Sequence, residues 1–312
     1  MNTNSPLDNR DFLFSVFTPT FNRRHTLKHV YESLVAQTLK DFEWLIIDDG
    51  SKDGTNTLVK TWITNSPFPI RYFWVENGGK HRAYNIAVRS ARGHLFLALD
   101  SDDTCVPETL ERFSDYWHSI PEAQRSSFSG VTVHCMDQNA RIIGKAFPKA
   151  VLDTNLIHLL NSSGIKGEKW GIHRTEILKN FPFPEFQGEK FIPEGIVWNR
   201  IAGRYKLRFV NDALRVYHRS HEGLDRNSLR IRSSSPQGAR LYYAELCQFP
   251  IKWPLLVKSV VNYIRFSMHG QISIRKTLGE ATHRLLALVC LPGALIIYFA
   301  DCFRLRYKRQ VL

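Results

Sequence analysis

Two short acidic segments stand out from the rest of the chain. Asp48-Asp49-Gly50-Ser51-Lys52-Asp53-Gly54-Thr55 places three carboxylates and two glycines in one tight stretch, and Asp100-Ser101-Asp102-Asp103 places three carboxylates within four residues. A strand-to-helix turn needs one capping Asp or Ser and one Gly. Carboxylates crowded at one sheet end repel one another. A divalent cation relieves that repulsion, because Mg²⁺ and Mn²⁺ favour hard oxygen ligands and share one or two carboxylates with substrate phosphates. A carboxylate in the first segment suits the N–H of a base or a ribose hydroxyl. A solvated acidic turn is the plainer reading of either segment; the pair at this spacing favours the ligand-binding one.

Both segments end short apolar runs. Phe12–Thr18, Phe42–Asp48, Ile70–Val75 and His94–Asp100 are rich in β-branched and aromatic residues, and stretches of helical spacing separate them, such as Leu27, Val30, Tyr31, Leu34 and Val35. That rhythm predicts an α/β domain with a mostly parallel sheet and helices on its faces. Ligands of such sheets bind outside the carboxyl ends of the strands. Further on, the pattern predicts a helix from Pro107 to His118, strands at Ser129–Cys135 and Lys169–Arg174, a helix over Pro193–Tyr205 and a strand over Lys206–Tyr217.

TPTFNR, DDGSKDGT, GGKHRAYNIAVRSARG and LALDSDD, in this order, resemble the N-terminal half of family 2 glycosyltransferases, which have the GT-A fold. The resemblance is tight from Phe12 to about Leu110 and looser to about Asp225. It implies inverting transfer from a nucleotide sugar. Thr18 and Thr20 would line the nucleotide pocket, Asp49 would bind the base, typically uracil, and Asp102 the ribose. Asp103 would bind the Mg²⁺ or Mn²⁺ that bridges the donor diphosphate, with Asp100 in support. Lys80, behind Gly78-Gly79, would reach the base or the phosphates. His218 or His221 would be a further metal ligand.

Many members of that family carry adjacent Glu-Asp at the start of a helix in the second half, with the Asp as general base. Here the corresponding residues are Glu194 and Gly195. Glu194 is therefore the candidate base, with helix capping as its bland alternative. Asp153, Glu168 and Glu189 are weaker substitutes. Trp170, Trp198 and Tyr217 suit a core better than a sugar platform.

The remaining residues bear on location. The net charge is +13, and residues 226–312 hold 14 Lys/Arg against 3 Asp/Glu, leaving +2 for the first 225. Leu285–Ala300 is uncharged and flanked by Arg284 and by Arg304, Arg306, Lys308 and Arg309, with Pro292-Gly293 suggesting a kink. Basic flanks around an aliphatic run fit an anionic membrane surface, not nucleic acid. The polar N-terminus lacks a signal-peptide core, and five scattered cysteines read as reduced thiols. The expectation is a catalytic domain over 1–225 and a membrane-associating basic tail over 226–312. The enzyme would be cytoplasmic, peripheral or monotopic at the inner face of the membrane, and would act on a saccharide or lipid-linked acceptor. A nucleotidyltransferase is the rival enzyme, disfavoured because TPTFNRRH has no phosphate-loop glycine; a catalytically inactive sugar-nucleotide-binding or scaffolding protein is the other alternative.

Overall fold

The computed structural model describes residues 11–161, 167–218 and 228–310. The chain forms two compact units. The first takes residues up to 156, 162–182 and 204–219; the second takes 157–161, 183–203 and the chain from 220. The second unit therefore includes more than the basic tail, and the boundary expected at 225 lies outside the described residues.

The first unit is built on one mixed sheet. Its strands are β1 (Phe12–Thr20), β2 (Phe42–Asp48), β3 (Ile70–Trp74), β4 (Gly93–Ala98), β5 (Thr104–Cys105), β6 (Phe128–Met136), β7 (Val151–Thr154), β8 (Lys169–Arg174) and β9 (Lys206–Val216). The order is β3-β2-β1-β4-β8-β6-β9-β5, with β7 on β9. β3, β2, β1 and β4 are parallel, as the sequence rhythm predicts. β8 then runs antiparallel between β4 and β6, and β9 is parallel to β6. Two reversals leave β9 pointing the same way as β1 and β4, so its carboxyl end shares their edge of the sheet. Helices α1 (Arg24–Val35), α2 (Thr55–Asn65), α3 (Lys80–Ser90), α4 (Thr109–His118), α5 (Glu122–Arg125) and α7 (Thr175–Asn180) belong to this unit.

Burial explains the continuous apolar strands. Every residue of β2 is buried, and β1 is buried except at its second and eighth positions. Parallel strands covered on both faces lose the polar alternation of a half-exposed sheet. One cluster gathers Phe14, Val16, Trp44, Ile46, Leu95 and Leu97 with helix residues Leu27, Val30 and Leu34. Tyr31 stacks on Trp62 with ring centroids 4.5 Å apart. Trp170 belongs to this core: its indole donates to the Ala98 carbonyl and its ring meets Phe113 edge-on.

The second unit is helical: α6 (Leu156–Asn161, begun in the first unit), α8 (Gly195–Ala202), α9 (Ser228–Ser233), α10 (Pro236–Leu246), α11 (Trp253–His269), α12 (Ile274–Glu280) and α13 (Arg284–Gln310). Pro292 does not end α13, which is a single helix of 27 residues. Its Ala287 and Ala294 are fully buried in one cluster with Cys247, Val260, Tyr263 and Ile264. Part of the expected tail is thus core of this unit.

Two predictions test this architecture. A Cβ on Gly130 of β6 would fall 1.8 Å from the Ile172 carbonyl oxygen across the β8 pairing. Backbone cannot yield as a side-chain tip does, so Gly130→Ala is expected to cost about 3 kcal/mol or more in urea unfolding. Burial pushes the His173 imidazole down from 6.5 to about 4. The unfolded chain takes up this proton first, so stability is intact above about 6.5 and falls toward pH 4 by up to ~1.4 kcal/mol per unit, a slope that His173→Gln should reduce.

Candidate functional site at the carboxyl edge of the sheet

The TPTFNR and DDGSKDGT turns are sewn together at the ends of β1 and β2. The Asp49 N–H donates to the Thr20 carbonyl at 2.8 Å, the Asn22 N–H to Ser51 Oγ at 2.8 Å, and the Lys52 N–H to Asn22 Oδ1 at 2.9 Å. Asp53 caps two helices at once, accepting from the Arg24 N–H at 2.9 Å and from the Thr55 N–H and hydroxyl at 3.1 and 2.6 Å. These donors hold its carboxyl below the usual range against the opposing effect of burial. Asp48 accepts from the Ser51 N–H at 2.7 Å and the Tyr72 hydroxyl at 2.6 Å.

Asp49 receives the Gly78 N–H at 2.7 Å on one oxygen, and the Gly79 N–H at 2.9 Å and Asn77 Nδ2 at 3.0 Å on the other. It is the anchor of the turn that starts α3. Gly79, at φ +97°, adopts a backbone conformation that glycine permits and other residues rarely enter. The three carboxylates that seemed surplus to one turn are thus each used in backbone hydrogen bonds. Thr18 is also turned away from a pocket role: it is fully buried, and its Oγ1 accepts from the Trp44 indole at 2.9 Å. Thr20 Oγ1 is buried with no hydrogen-bond partner among the described residues.

At the end of β4 each carboxylate has a basic partner from a different element. Asp100 meets Lys80 Nζ at 2.7 Å and Arg215 Nη2 at 3.3 Å. Burial would raise its carboxyl pKa, but Lys80 and Arg215, helped by Arg23, hold it below the usual range. Asp102 meets Arg23 Nη1 at 3.1 Å through Oδ2 and keeps about a quarter of its side chain exposed.

Asp103 is 1% exposed and closely held. Arg215 donates to Oδ2 through Nε, at 2.7 Å, and through Nη2, while the His218 N–H donates to Oδ1 at 3.0 Å. Burial pushes this carboxyl up, to about 6, with Arg215 and the His218 N–H pulling the other way; three donors favour the carboxylate form. The expected metal ligand therefore has both oxygens occupied by the protein. Local topology is the reason: Thr104 and Cys105 pair antiparallel with Val216 and Arg215, which brings Asp103 beside the guanidinium.

The His218 ring is likewise engaged. Gln138 Nε2 lies 2.7 Å from Nδ1, and Thr104 Oγ1 lies 3.1 Å from Nε2. His221 lies outside the described residues. Among the described residues no group of three His, Cys, Asp or Glu side chains forms a ready-made metal site. The donor set still fits a hard cation of the Mg²⁺ type, since such ions take one or two carboxylates and complete their shell with phosphates and water. Asp102, which meets one guanidinium where Asp100 meets two cations and Asp103 is enclosed, is the carboxylate that could serve.

Among the other candidates, Asp153 is bound bidentately by Arg208 at 2.9 and 2.7 Å. Glu189 caps α10, accepting the Gln237 and Gly238 N–H groups at 2.7 and 2.9 Å. Neither is placed as a base. Glu194, in the second unit, is exposed at the start of α8 and makes no side-chain capping hydrogen bond. A Cβ on Gly195 would meet Tyr242 Cε2 at 2.7 Å, so the aromatic ring takes the space an aspartate there would need. Glu168, in the first unit, is half exposed and 3.9 Å from Arg215.

Arg215 and Arg23 are the site residues that sequence reasoning missed. Arg23 lies inside a motif read for its threonines, and Arg215 is a charged residue in a strand whose neighbour Leu214 is fully buried, a mismatch that calls for a buried partner.

Residues 15–150 match the family model described as glycosyl transferase family 2. An uncharacterized glycosyltransferase of Rickettsia typhi is 30% identical over 170 residues, 52% of this chain and 48% of the relative. The chain thus spans about half the length of that relative. The S. aureus TarS 1–349 structure in complex with UDP superimposes with a TM-score of 0.59 at 17% identity, covering 95% of this chain and 91% of that one. The mannosyltransferase PcManGT from Pyrobaculum calidifontis, in complex with GDP-Man and Mn²⁺, gives 0.55 at 17% identity, covering 95% and 84%. At that identity the two structures establish the fold, which is of GT-A type.

The geometry separates two neighbouring aspartates. Arg215→Met strands the buried Asp103 carboxylate and is expected to cost about 3–5 kcal/mol; Asp103→Ala leaves the guanidinium with Asp100 and should cost less, though still a clear loss. Asp102→Ala removes a partly exposed partner and should leave the melting temperature within a few degrees of the parent. Thermal unfolding of the three variants without ligand checks the order.

Proposed function

We propose that this chain is a family 2 glycosyl transferase that moves a hexosyl or N-acetylhexosaminyl group, with inversion, from a nucleotide sugar of the UDP type. The acceptor would be a saccharide or lipid-linked saccharide of a surface polysaccharide pathway. The observation that carries the reading is the set of carboxylates and cations at the β1–β4 edge: Asp100, Asp102, Lys80 and Arg23, all within the family-matched segment. β1 lies between β2 and β4, so the strand order reverses there, and this is where open parallel sheets bind nucleotides. The UDP complex of TarS supports a uridine donor, and the Mn²⁺ complex of PcManGT supports a divalent cation.

In this reading Thr20 and Asp49 form the floor under the base, with Asp49 acting chiefly by fixing the Gly78–Gly79 backbone. Asp100 and Asp102 face the ribose and the diphosphate. Mg²⁺ or Mn²⁺ held by Asp102 would stabilise the leaving diphosphate. Lys80 and Arg23 are near enough to add positive charge when a diphosphate displaces their carboxylate partners. A base must take the acceptor hydroxyl proton. Glu194 is the first candidate, exposed at the start of α8; Glu168 is the second, because it lies in the same unit as the strand-end carboxylates and near Arg215. The enzyme works at the inner face of the cell membrane, as the basic C-terminal residues favour.

A screen of UDP and GDP sugars by thermal shift with Mn²⁺ tests the donor. A ligand that binds only the folded state raises the melting temperature, by ~2.7 kcal/mol of stability at a hundredfold excess over Kd. The shift with a UDP sugar should vanish in Asp102→Ala. A shift that survives in this variant, or appears only with GDP sugars, argues against the assignment. For the base, Glu194→Gln should lower kcat by about 10²–10⁴-fold with donor KM unchanged. If that loss appears in Glu168→Gln instead, the base lies in the first unit.

A further inference from the structure

We infer that α13 seats the second unit in the plane of an anionic membrane, with one apolar face immersed, and does not cross the bilayer. This rests on the proposed membrane association and adds its geometry.

Among the described residues, Arg284–Arg306 is the one helix long and apolar enough to span. Length alone would favour crossing, since 23 residues at 1.5 Å each give about 35 Å against a hydrocarbon core of about 30 Å. The two faces of the helix decide otherwise. At 100° per residue, Leu285, Leu288, Val289, Ile296, Phe299 and Phe303 fall on one side, and they are 51–80% exposed. Ala287, Ala294 and Asp301 fall on the opposite side and are 0–1% exposed. The small residues bring α13 against α11, and Asp301 closes the contact.

That ionic contact is what disfavours crossing. Asp301 accepts from Arg265 Nε at 2.5 Å and Nη2 at 2.8 Å, and His269 Nε2 lies 3.1 Å away. Arg265 and His269 belong to α11, which also carries Lys258 and Asn262. A spanning α13 would carry this ion pair and its helix into hydrocarbon, or would tear the pair apart and leave Asp301 alone there. Both are costly. Lying in the interface, the helix keeps the pair on its dry, protein side and gives the lipid only aliphatic and aromatic side chains.

Charge selects the surface. Residues 228–310 contain three acidic side chains, Glu245, Glu280 and Asp301, and each has an arginine partner: Arg200, Arg240 and Arg265. The acidic charge of this segment is thereby neutralised within the second unit. Arg284, at one end of the apolar face, and Arg304 and Arg306, at the other, are exposed. Helical spacing puts Arg306 on the edge of the apolar face and the other two on its shoulders, at headgroup height when the face is down.

The test uses the full chain and vesicles of phosphatidylcholine with or without phosphatidylglycerol. Flotation should show binding that is stronger with phosphatidylglycerol, reduced in part by salt, and reversed by detergent. Ile296→Glu/Phe299→Glu should weaken vesicle binding by at least ~tenfold, since two large apolar side chains lose their burial, while the melting temperature stays within a few degrees. In a background with Cys290 and Cys302 changed to Ser, single cysteines placed by Arg284→Cys and Arg306→Cys should both react with an impermeant maleimide on bound vesicles. Protection of one of the two would mean a crossing helix: association would stand and the in-plane seat would fall. No binding by the parent chain would remove the association itself. A parent chain that ignores lipid but dimerises, and becomes monomeric in the double variant, would assign the face to a second copy and overturn the inference.

Discussion

Three carboxylates at the end of one strand cannot share that space without counter-charge, and the first unit is arranged to supply it. Arg23 comes from the start of α1, Lys80 from the start of α3 and Arg215 from the end of β9. Each lies at the same edge of the sheet because β1, β4 and β9 point one way. Arg215 bears the heaviest duty, since it binds both Asp100 and Asp103 from a nearly buried position. A buried pair of this kind adds little net stability, but losing one member is expensive. Its consequence is fixity: the segment from Asp100 to Cys105 is held at both ends, and Asp102, between them, is paired with Arg23.

That division of labour was only partly legible in the sequence. Strand positions and the parallel half of the sheet follow from apolar runs and their spacing, and the observed elements agree within a few residues. The carboxyl-edge location of the acidic residues follows too. Division of roles among the carboxylates does not follow, because it depends on where backbone N–H groups point. Asp48, Asp49 and Asp53 look redundant as letters, yet each satisfies a different set of turn and cap donors. Thr18 and Thr20 look equivalent, but Thr18 is spent on Trp44. Asp103 looks like the ligand-facing residue until the pairing of Thr104 with Val216, more than a hundred residues away, puts Arg215 on it. Long-range antiparallel pairing of a two-residue strand leaves almost no periodic signal to read.

The second unit raises the same point on a larger scale. Composition gives α13 as apolar and basic-flanked, which fits a span, an interfacial helix and a core helix alike. Face-by-face burial separates them, because a span offers lipid all around, a core helix offers none, and this helix offers one side. Alanines at 287 and 294 would mean little in a uniform aliphatic run; on the side facing α11 they set how closely the helices approach. Asp301 in a span would be an unexplained charge, whereas beside Arg265 it fixes which side of the helix must stay dry.

Gly195 shows how packing within one unit can decide a question of chemistry. In the family pattern an aspartate would follow Glu194. Here Tyr242 of α10 presses against the Gly195 Cα side, where even a methyl group would meet the ring at 2.7 Å. An aspartate there would have to displace a large and mostly buried aromatic, so the loss of the carboxylate and the placement of Tyr242 form one packing choice. Burial raises the Tyr242 phenol pKa, which makes it a poor proton acceptor and no replacement for the missing carboxylate. A carboxylate serving as general base must be exposed and lie outside caps and bidentate pairs. Asp153 and Glu189 fail that condition. Glu194 makes no side-chain cap on α8, and Glu168 lies 3.9 Å from Arg215. Glu168 has the advantage of belonging to the same unit as the strand-end carboxylates.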